Sequence, residues 1–424
     1  MRLRVNMQGA LANPGFRRLW IAQAISIFGD YLAMFAVQSA IVFRMRGSAR
    51  EVSAVLLVSL VPAIVIGPLA GVFADRCPRR THPLQIMIAS DVLRALLVLL
   101  LAVSTRVPPG SSSAALLRIC SICFAISCVS ALFAPAQAVM IPQLVKREEL
   151  LNASLLLQQS MQVARIASPA AAGALVARFG ENACYAADAA SFVFSAVMLA
   201  TISRGATQIT SARTRVRLTR DIRAGFDFVR AHSEVCFATL AMAAGTFAAG
   251  CFSALAAIYV RDVLRAGAAV YGAIGSLTAA GTLVGSLTIG KFANRFARQT
   301  LIAAGMGVVG FCILSLAAVP SLIVAFPGAL GIGCGAAIAM VAASAVLKEC
   351  TPTELRGRVN SVSMALMSAA QAAAMILAGS LAARIGVRGV YALSAAMLLA
   401  QPAYLCFRQG TNRSAPSACF QIPQ

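Results

Sequence analysis

Long apolar segments, separated by short loops that hold most of the charged residues, recur about a dozen times along this chain. The hydrocarbon core of a bilayer is roughly 30 Å thick and needs about 20 apolar residues per helix. With 59% hydrophobic and only 12% charged residues, the chain has too much apolar surface for a water-soluble fold. The sequence therefore predicts an all-α membrane protein with twelve transmembrane helices, at 16–43, 52–73, 84–105, 115–140, 152–177, 183–203, 235–260, 268–290, 299–319, 321–346, 358–383 and 387–407.

The net charge of +22 is distributed as membrane insertion requires. When the segments alternate in direction, 24 of the 36 Lys and Arg residues fall in the termini and loops on one side, and 10 on the other. The positive-inside rule then predicts that both termini face the cytoplasm across a bacterial-type inner membrane. No basic face interleaved with aromatic residues occurs, so we expect the lipid bilayer and no nucleic acid as a partner.

Cysteine and histidine are placed as structural residues rather than as metal ligands. Most of the twelve cysteines lie inside apolar segments, where Cys behaves as a small hydrophobic residue. Only His82 and His232 are available, and they are far apart in the chain. We expect no metal, no cofactor and no enzymatic activity, because no nucleophile, base and orienting group occur at related positions. We further expect a monomer.

The longest connection divides the chain into two sets of six segments. It predicts an N-terminal half at 1–204, a cytoplasmic linker at 205–234, and a C-terminal half with a short tail at 235–424. The second part of the linker has apolar residues at helical spacing, which predicts an amphipathic helix on the membrane surface. A solvated connector is the alternative.

Two short patterns recur in both halves and indicate an internal repeat. Gly71 with Asp75, Arg76 and Arg79 recurs as Gly290 with Asn294, Arg295 and Arg298, after the second segment of each half. Glu149-Leu150 recurs as Glu354-Leu355 before the fifth segment. Equivalent loops therefore lie on the same membrane side, which predicts two parallel, pseudo-symmetric halves related by an axis along the membrane normal.

The loop after the second segment resembles the signature of the major facilitator superfamily. It reads Gly71-Val72-Phe73-Ala74-Asp75-Arg76-Cys77-Pro78-Arg79-Arg80, with Pro78 where the superfamily has Gly. The resemblance implies a gating loop that holds the cytoplasmic side closed in one conformation. A simple positive-inside anchor is the alternative, and it explains the arginines but not Gly71 or Asp75.

A second set of motifs is similar to the branch that contains macrolide-efflux proteins and enterobactin exporters. It includes Asn13-Pro14-Gly15-Phe16-Arg17, Phe133-Ala134-Pro135-Ala136, Asp188-Ala189-Ala190-Ser191-Phe192 and Glu354-Leu355-Arg356-Gly357-Arg358. In the fifth segment, Pro169 and Gly173 stand where drug and proton antiporters of the superfamily have their Gly-Pro-x-x-Gly-Gly motif, with two glycines replaced. These two residues are candidates for a hinge.

Charged residues near the middle of a segment are functional candidates, because each is costly in lipid unless it is paired or hydrated. Asp30 and Arg165 lie at similar depth, so we expect Asp30 to bind the coupled proton and Arg165 to set its proton affinity. A permanently closed ion pair is the alternative. Asp91 and Arg94 are one helical turn apart and can form a local structural pair. Asp188 lies nearer the outer end of its segment, where water could reach it.

These observations favour a secondary transporter, in particular an exporter that exchanges protons for an amphipathic small molecule such as a drug, a macrolide, a siderophore or a lysolipid. An importer or a uniporter with the same fold is the alternative, since nothing in the segments fixes direction. A receptor or scaffold without transport activity is least favoured, because the chain has no added soluble domain.

Overall fold

The computed structural model describes residues 7–76, 83–105, 113–202, 218–292 and 295–411. All regular secondary structure in these ranges is helical. The helices are α1 (Met7–Ala12), α2 (Pro14–Ser39), α3 (Ala49–Arg76), α4 (Pro83–Ser104), α5 (Ser113–Leu144), α6 (Leu150–Phe179), α7 (Glu181–Ala200), α8 (Leu218–Ala231), α9 (Ser233–Ile258), α10 (Ala268–Phe292), α11 (Arg298–Ala318), α12 (Leu322–Glu349) and α13 (Arg356–Thr411).

Twelve membrane-spanning segments can be traced through these helices. Nine helices of the described ranges are long and apolar enough to cross a bilayer. One of them, α13, is 56 residues long, and Gly386 divides it into two segments with a left-handed φ of 74°. The helices α3 and α6, with 28 and 30 residues, supply the remaining two. The predicted twelve-helix fold is therefore confirmed.

Local sequence explains where the first spanning helix begins. The side-chain oxygen of Asn13 accepts hydrogen bonds from the main-chain N–H groups of Gly15 (2.8 Å) and Phe16 (3.2 Å). Pro14 follows at the first helical position, where its missing N–H costs nothing. Asn13 therefore acts as the N-cap of α2 and fixes the depth at which this helix starts.

The two halves share unusual backbone features at equivalent points. The first spanning helix of each half ends in a π-helical turn, Ala40–Arg44 in one and Tyr259–Val263 in the other. Two residues after each turn, Arg46 (φ 56°) and Arg265 (φ 51°) adopt a left-handed conformation that is uncommon for a residue other than glycine. The internal repeat predicted from the loops thus extends to the backbone.

The chain packs as two compact units. One comprises Met1–Ala212 together with Ala266–Ser276, and the other comprises Arg213–Arg265 together with Leu277–Gln424. The start of α10, which the sequence analysis placed in the second half, therefore packs with the first unit. Helix α8 lies in the second part of the predicted linker and packs on α9 and α13. The first part of the linker, 203–217, lies outside the described residues.

Candidate functional site

A buried arginine lies at the centre of the first unit. Arg94 and Asp91 are one turn apart on α4, and both are buried. The Nη2 group of Arg94 donates to Oδ1 of Asp91. The hydroxyl of Ser195, on α7, donates to Oδ2 of Asp91 over 2.6 Å. Because both oxygens of Asp91 have partners, this carboxylate is fixed in place and ties α4 to α7.

A second carboxylate reaches the same arginine from another helix. The Nη1 atom of Arg94 lies 3.7 Å from Oδ2 of Asp30, on α2. The Asp30 side chain is 42% exposed, whereas that of Arg94 is 5% exposed. Asp30 is therefore the loosely held, accessible carboxylate of the cluster, and Asp91 is the tightly held, buried one.

Asp188, on α7, is a third carboxylate and is almost completely buried. The hydroxyl of Ser191 donates to its main-chain oxygen (2.7 Å) and lies 3.3 Å from its Oδ1 atom. A Cβ atom at Gly29 would overlap both Ser191 and Asp188, so glycine lets α2 approach α7 closely at this level. Asp188 interacts electrostatically with both Asp30 and Arg94. The expectation that water reaches Asp188 is therefore wrong, because α2 covers it.

Arg94 interacts with other groups besides Asp91. The ring centroids of Phe133 and Phe192 lie 4.8 Å and 4.3 Å from Cζ of Arg94, at cation–π distance. One guanidinium faces three carboxyl groups, so full ionisation would leave two uncompensated negative charges in a region of low dielectric. This arrangement can bind and release a proton or a cation at the group that is accessible, Asp30.

Arg165 lies at the predicted depth but is not the partner of Asp30 that the sequence analysis expected. The ion pair of Asp30 is with Arg94, and Arg165 is exposed on α6 without an ion pair among the described residues. Two residues at the same depth in the membrane, such as Asp30 and Arg165, contact each other only if their helices are rotated to face each other. We therefore correct the predicted partner of Asp30 to Arg94, while Asp91 and Arg94 lie together as the sequence analysis expected.

The hinge candidates of α6 lie against the first turns of α10, within the first unit. A Cβ atom at Gly173 would be 2.9 Å from the carbonyl oxygen of Ala268, and one at Gly275 would be 2.9 Å from the Pro169 ring. The main-chain N–H of Ala170 donates to the hydroxyl of Ser276 over 2.8 Å. Pro169 and Gly173 therefore belong to a close contact between main chains, which only small residues permit.

The start of α10 is also bound to α2. The Tyr271 hydroxyl donates to Oε1 of Gln38 over 2.8 Å, and the Tyr271 ring stacks on that of Phe35 with 4.6 Å between centroids. Nothing in the sequence singled out this contact. A buried tyrosine beside small residues, in a helix assigned to the other half, gives no signal of its partner.

The gating-loop residues are only partly described. Gly71, Asp75 and Arg76 lie at the end of α3, while Arg79, Arg80 and Asn294 lie outside the described residues. In the second half, Gly290 lies in α10 and Arg295 is exposed beyond it. Arg298 begins α11 and forms an ion pair of 3.2 Å with Glu349, at the end of α12.

No group of three His, Cys, Asp or Glu side chains within the described ranges has a geometry that could hold a metal ion. Eight cysteines in these ranges are free thiols.

Comparison with known proteins agrees with this architecture. The family model described as transmembrane secretion effector matches residues 7–419. Macrolide efflux protein A of Streptococcus pyogenes is 26% identical over 400 residues, covering 91% of this chain and 93% of that protein. The uncharacterized MFS-type transporter YfiS of Bacillus subtilis is 24% identical over 395 residues, covering 91% of each chain.

Solved structures have the same fold at low sequence identity. A bacterial homologue of the iron transporter ferroportin, in an inward-facing state, has a TM-score of 0.73 at 16% identity and covers 93% of this chain and 98% of its own. The nucleoside transporter NupG has a TM-score of 0.70 at 12% identity, with coverage of 93% and 99%.

The twelve helices, the repeated halves and these neighbours define a multi-pass membrane transporter of the major facilitator superfamily, a class that handles small-molecule substrates in a lipid bilayer and is not enzymatic. Within that superfamily, the chain belongs to the transmembrane secretion effector family.

Proposed function

We propose that this transporter exports an amphipathic small molecule in exchange for protons. The observation that carries the proposal is that Arg94 binds Asp91 more closely than it binds Asp30. Asp91 is bound closely and its second oxygen is held by Ser195, whereas Asp30 lies 3.7 Å away with a 42% exposed side chain. Asp30 can therefore change protonation state while the Asp91 pair keeps the helices together.

In this mechanism, a proton on Asp30 removes its attraction to Arg94, and loss of the proton restores it. The change in local charge favours one conformation of the transporter over the other, which is what coupling requires. Asp188 is a buried carboxyl group that interacts electrostatically with Asp30, so the protonation states of these two groups depend on each other. Arg94 takes the role that the sequence analysis gave to Arg165.

The substrate class follows from the relatives and from the lining helices. A relative named for macrolide efflux supports export of a drug-like amphipathic molecule. The spanning helices of the second half have no charged residue at mid-span, so they offer an apolar surface to such a molecule. A drug, a macrolide, a siderophore and a lysolipid all fit this description.

Transport in proteoliposomes with an imposed pH gradient tests the coupling. A susceptibility screen in an efflux-deficient host first selects the transported compound. We expect Asp30→Asn to abolish accumulation driven by the gradient and to retain passive exchange of that compound. The exposed carboxylate of Asp227, on α8, provides a matched control, and Asp227→Asn should accumulate substrate normally. If Asp30→Asn still concentrates the compound against its gradient, protons are not coupled through this residue.

We also propose that the protein lies in the inner membrane of a bacterial-type cell with both termini in the cytoplasm, since the 24 to 10 distribution of Lys and Arg supports this orientation. Reporter fusions at Ser211 and Ser417 test it. A reporter signal from the outer side of the membrane at either site would contradict the proposed topology.

The end of α3, with the loop signature that begins there, is proposed as a gate rather than only an anchor. Asp75→Asn and Arg76→Ala should then reduce the rate of transport at unchanged protein level in the membrane, because a gate affects interconversion before it affects stability. Full transport by both variants, at matched protein amounts, would leave the loop with the anchoring role alone.

A further inference from the structure

Arg165 lies at the middle of α6, fifteen residues after Leu150 in a helix of 30 residues. At 1.5 Å per residue, roughly 22 Å of helix separates it from each end. That distance exceeds half of the roughly 30 Å hydrocarbon thickness, so the guanidinium is too deep to count as a residue of the membrane interface. Its side chain is exposed and forms no ion pair within the described ranges. A charge at this depth requires water or a ligand beside it.

Three further polar side chains share the face of Arg165. We call Ser154, Gln158, Gln162 and Arg165 the α6 polar stripe. Spacings of four, four and three residues put them on one side of the helix, and all four are exposed. This stripe also contributes to the lower hydropathy that keeps α6 out of the set of strongly apolar spanning helices. A polar stripe in mid-membrane is unsuited to face lipid.

The rest of α6 shows which way the stripe faces. Pro169 and Gly173, four and eight residues after Arg165, continue this face and lie against the first turns of α10. Val163 lies about 200° away around the helix, on the side that lines a pocket between α2 and α6. All four stripe side chains are exposed, so the face that the first turns of α10 cover at Pro169 and Gly173 is open along the stripe, where a solute can reach it.

The chemistry of the stripe selects an anion. A guanidinium offers several N–H donors in a planar fork that matches the two oxygens of a carboxylate or phosphate. The amide side chain of Gln162 adds donors one turn away from Arg165, and that of Gln158 adds donors two turns away. The carboxylate that the sequence analysis expected beside Arg165, Asp30, is instead paired with Arg94. The charge of Arg165 is thus left for a ligand.

We propose that the α6 polar stripe, with Arg165 at its centre, binds the anionic head group of the amphipathic substrate, a carboxylate or a phosphate. The proposal rests on the proposed function in that it assumes an amphipathic substrate, but it does not require proton coupling. It also narrows the substrate class, because an amphipathic cation does not satisfy this site. The apolar part of the substrate would extend away from the stripe.

The only tryptophan of the chain permits a direct binding assay. Trp20 donates from Nε1 to the hydroxyl of Ser160, on α6, over 2.9 Å, so it is anchored to the helix that carries the stripe. The probes are dansyl-aminoundecanoic acid, its primary amide, and a dansyl amine with the same alkyl chain. Energy transfer from Trp20 to the dansyl group measures binding to the full-length protein in nanodiscs of zwitterionic phospholipid.

We expect the acid to bind roughly tenfold or more tightly than the amide or the amine. Arg165→Gln should abolish this preference and leave the affinity for the amide unchanged. Arg165→Lys should retain part of it, because the charge remains and the fork geometry is lost. The matched control is Arg178→Gln, which removes an exposed arginine near the end of the same helix and should keep the full preference. Gln162→Leu, a variant that keeps all charges, should weaken binding of the acid severalfold.

Equal binding of the acid and the amide to the wild-type protein would overturn the proposal, as would wild-type affinity for the acid in Arg165→Gln. Nanodiscs that contain phosphatidylglycerol distinguish the two sources of the anion. Competition that depends on Arg165 assigns the site to a lipid head group of net negative charge and contradicts the proposal, and its absence supports the head group of a free substrate. Asp30→Asn should bind the acid normally. If that variant also retains gradient-driven transport, proton coupling fails while the anion site stands.

Discussion

The two halves of this transporter share a backbone plan but hold their helices together differently. In the first half, α4 and α7 are joined by a buried network of Asp91, Arg94 and Ser195. In the second half, glycines let the main chains of neighbouring helices touch. A Cβ atom at Gly333, on α12, would overlap the carbonyl group of Thr278, on α10. The second half has no Asp, Glu, Lys or Arg at mid-span.

This difference separates what the fold needs from what function needs. The π-helical turns and the left-handed glycines Gly180 and Gly386 occur in both halves, so the helical plan forms with or without buried charge. Small residues and close packing suffice to associate helices in lipid. The buried charges of the first half are therefore not required by the architecture, in agreement with the coupling role that we propose for them.

The largest effect should come from removing the central charge of the first half. We expect Arg94→Gln to destabilise the protein by about 3–5 kcal/mol, because Asp91 is left buried without its counter-charge. The double variant Arg94→Gln with Asp91→Asn should recover much of the loss. Reaction of the buried free cysteines Cys123 and Cys184 with a thiol-specific fluorophore during heating measures the change.

A second-half arginine provides the control for this prediction. The guanidinium of Arg388 donates to the main-chain carbonyls of Ala317 (2.6 Å) and Ala318 (3.1 Å), so Arg388→Gln leaves no buried carboxylate behind. We expect a loss of about 1–2 kcal/mol there. Equal losses for Arg94→Gln and Arg388→Gln would show that the first-half network is no more than an ordinary set of hydrogen bonds.

A smaller effect should distinguish the packing of the second half. Gly333→Ala should cost about 1–3 kcal/mol, since the added methyl group forces α10 and α12 apart. Gly307→Ala, on α11, is the matched control, because its Cβ would meet only the ring of Pro402 at 3.7 Å. There the better helix propensity of alanine should make the change neutral or slightly stabilising. The same melting assay applies, and similar melting temperatures for both variants would contradict the close-packing account.

Sequence predicted the features that depend on local pattern and failed where lateral neighbours matter. Residue spacing along the sequence is enough to predict the twelve apolar segments, the repeat and the Asp91–Arg94 contact. The partner of Asp30 does not, because the rotation of each helix decides which neighbour a side chain meets. Asp188 shows the same limit: its burial depends on Gly29, a residue of another helix, which lets α2 cover it.

The smallest effect is expected at the membrane surface of the second half, where the charges are accessible. Arg298 and Glu349 form an ion pair of 3.2 Å, with side chains 32% and 55% exposed. Exposed pairs are worth about 0–1 kcal/mol and are screened by salt. Arg298→Gln should therefore lower the melting temperature slightly at low salt and not at all at high salt, and Arg295→Gln, which removes an exposed arginine nearby, should have no effect at either.

Arg94 and Arg298 are both arginines beside a carboxylate. The ratio of the stability losses in Arg94→Gln and Arg298→Gln therefore measures the effect of burial rather than that of the ion-pair chemistry. In a low-dielectric interior, loss of one partner leaves the full desolvation cost of the other, whereas water takes its place at the surface. A loss at Arg298 as large as that at Arg94, and insensitive to salt, would mean that the second half also depends on ionic contacts. The distinction between a charged half and a close-packed half would then not hold.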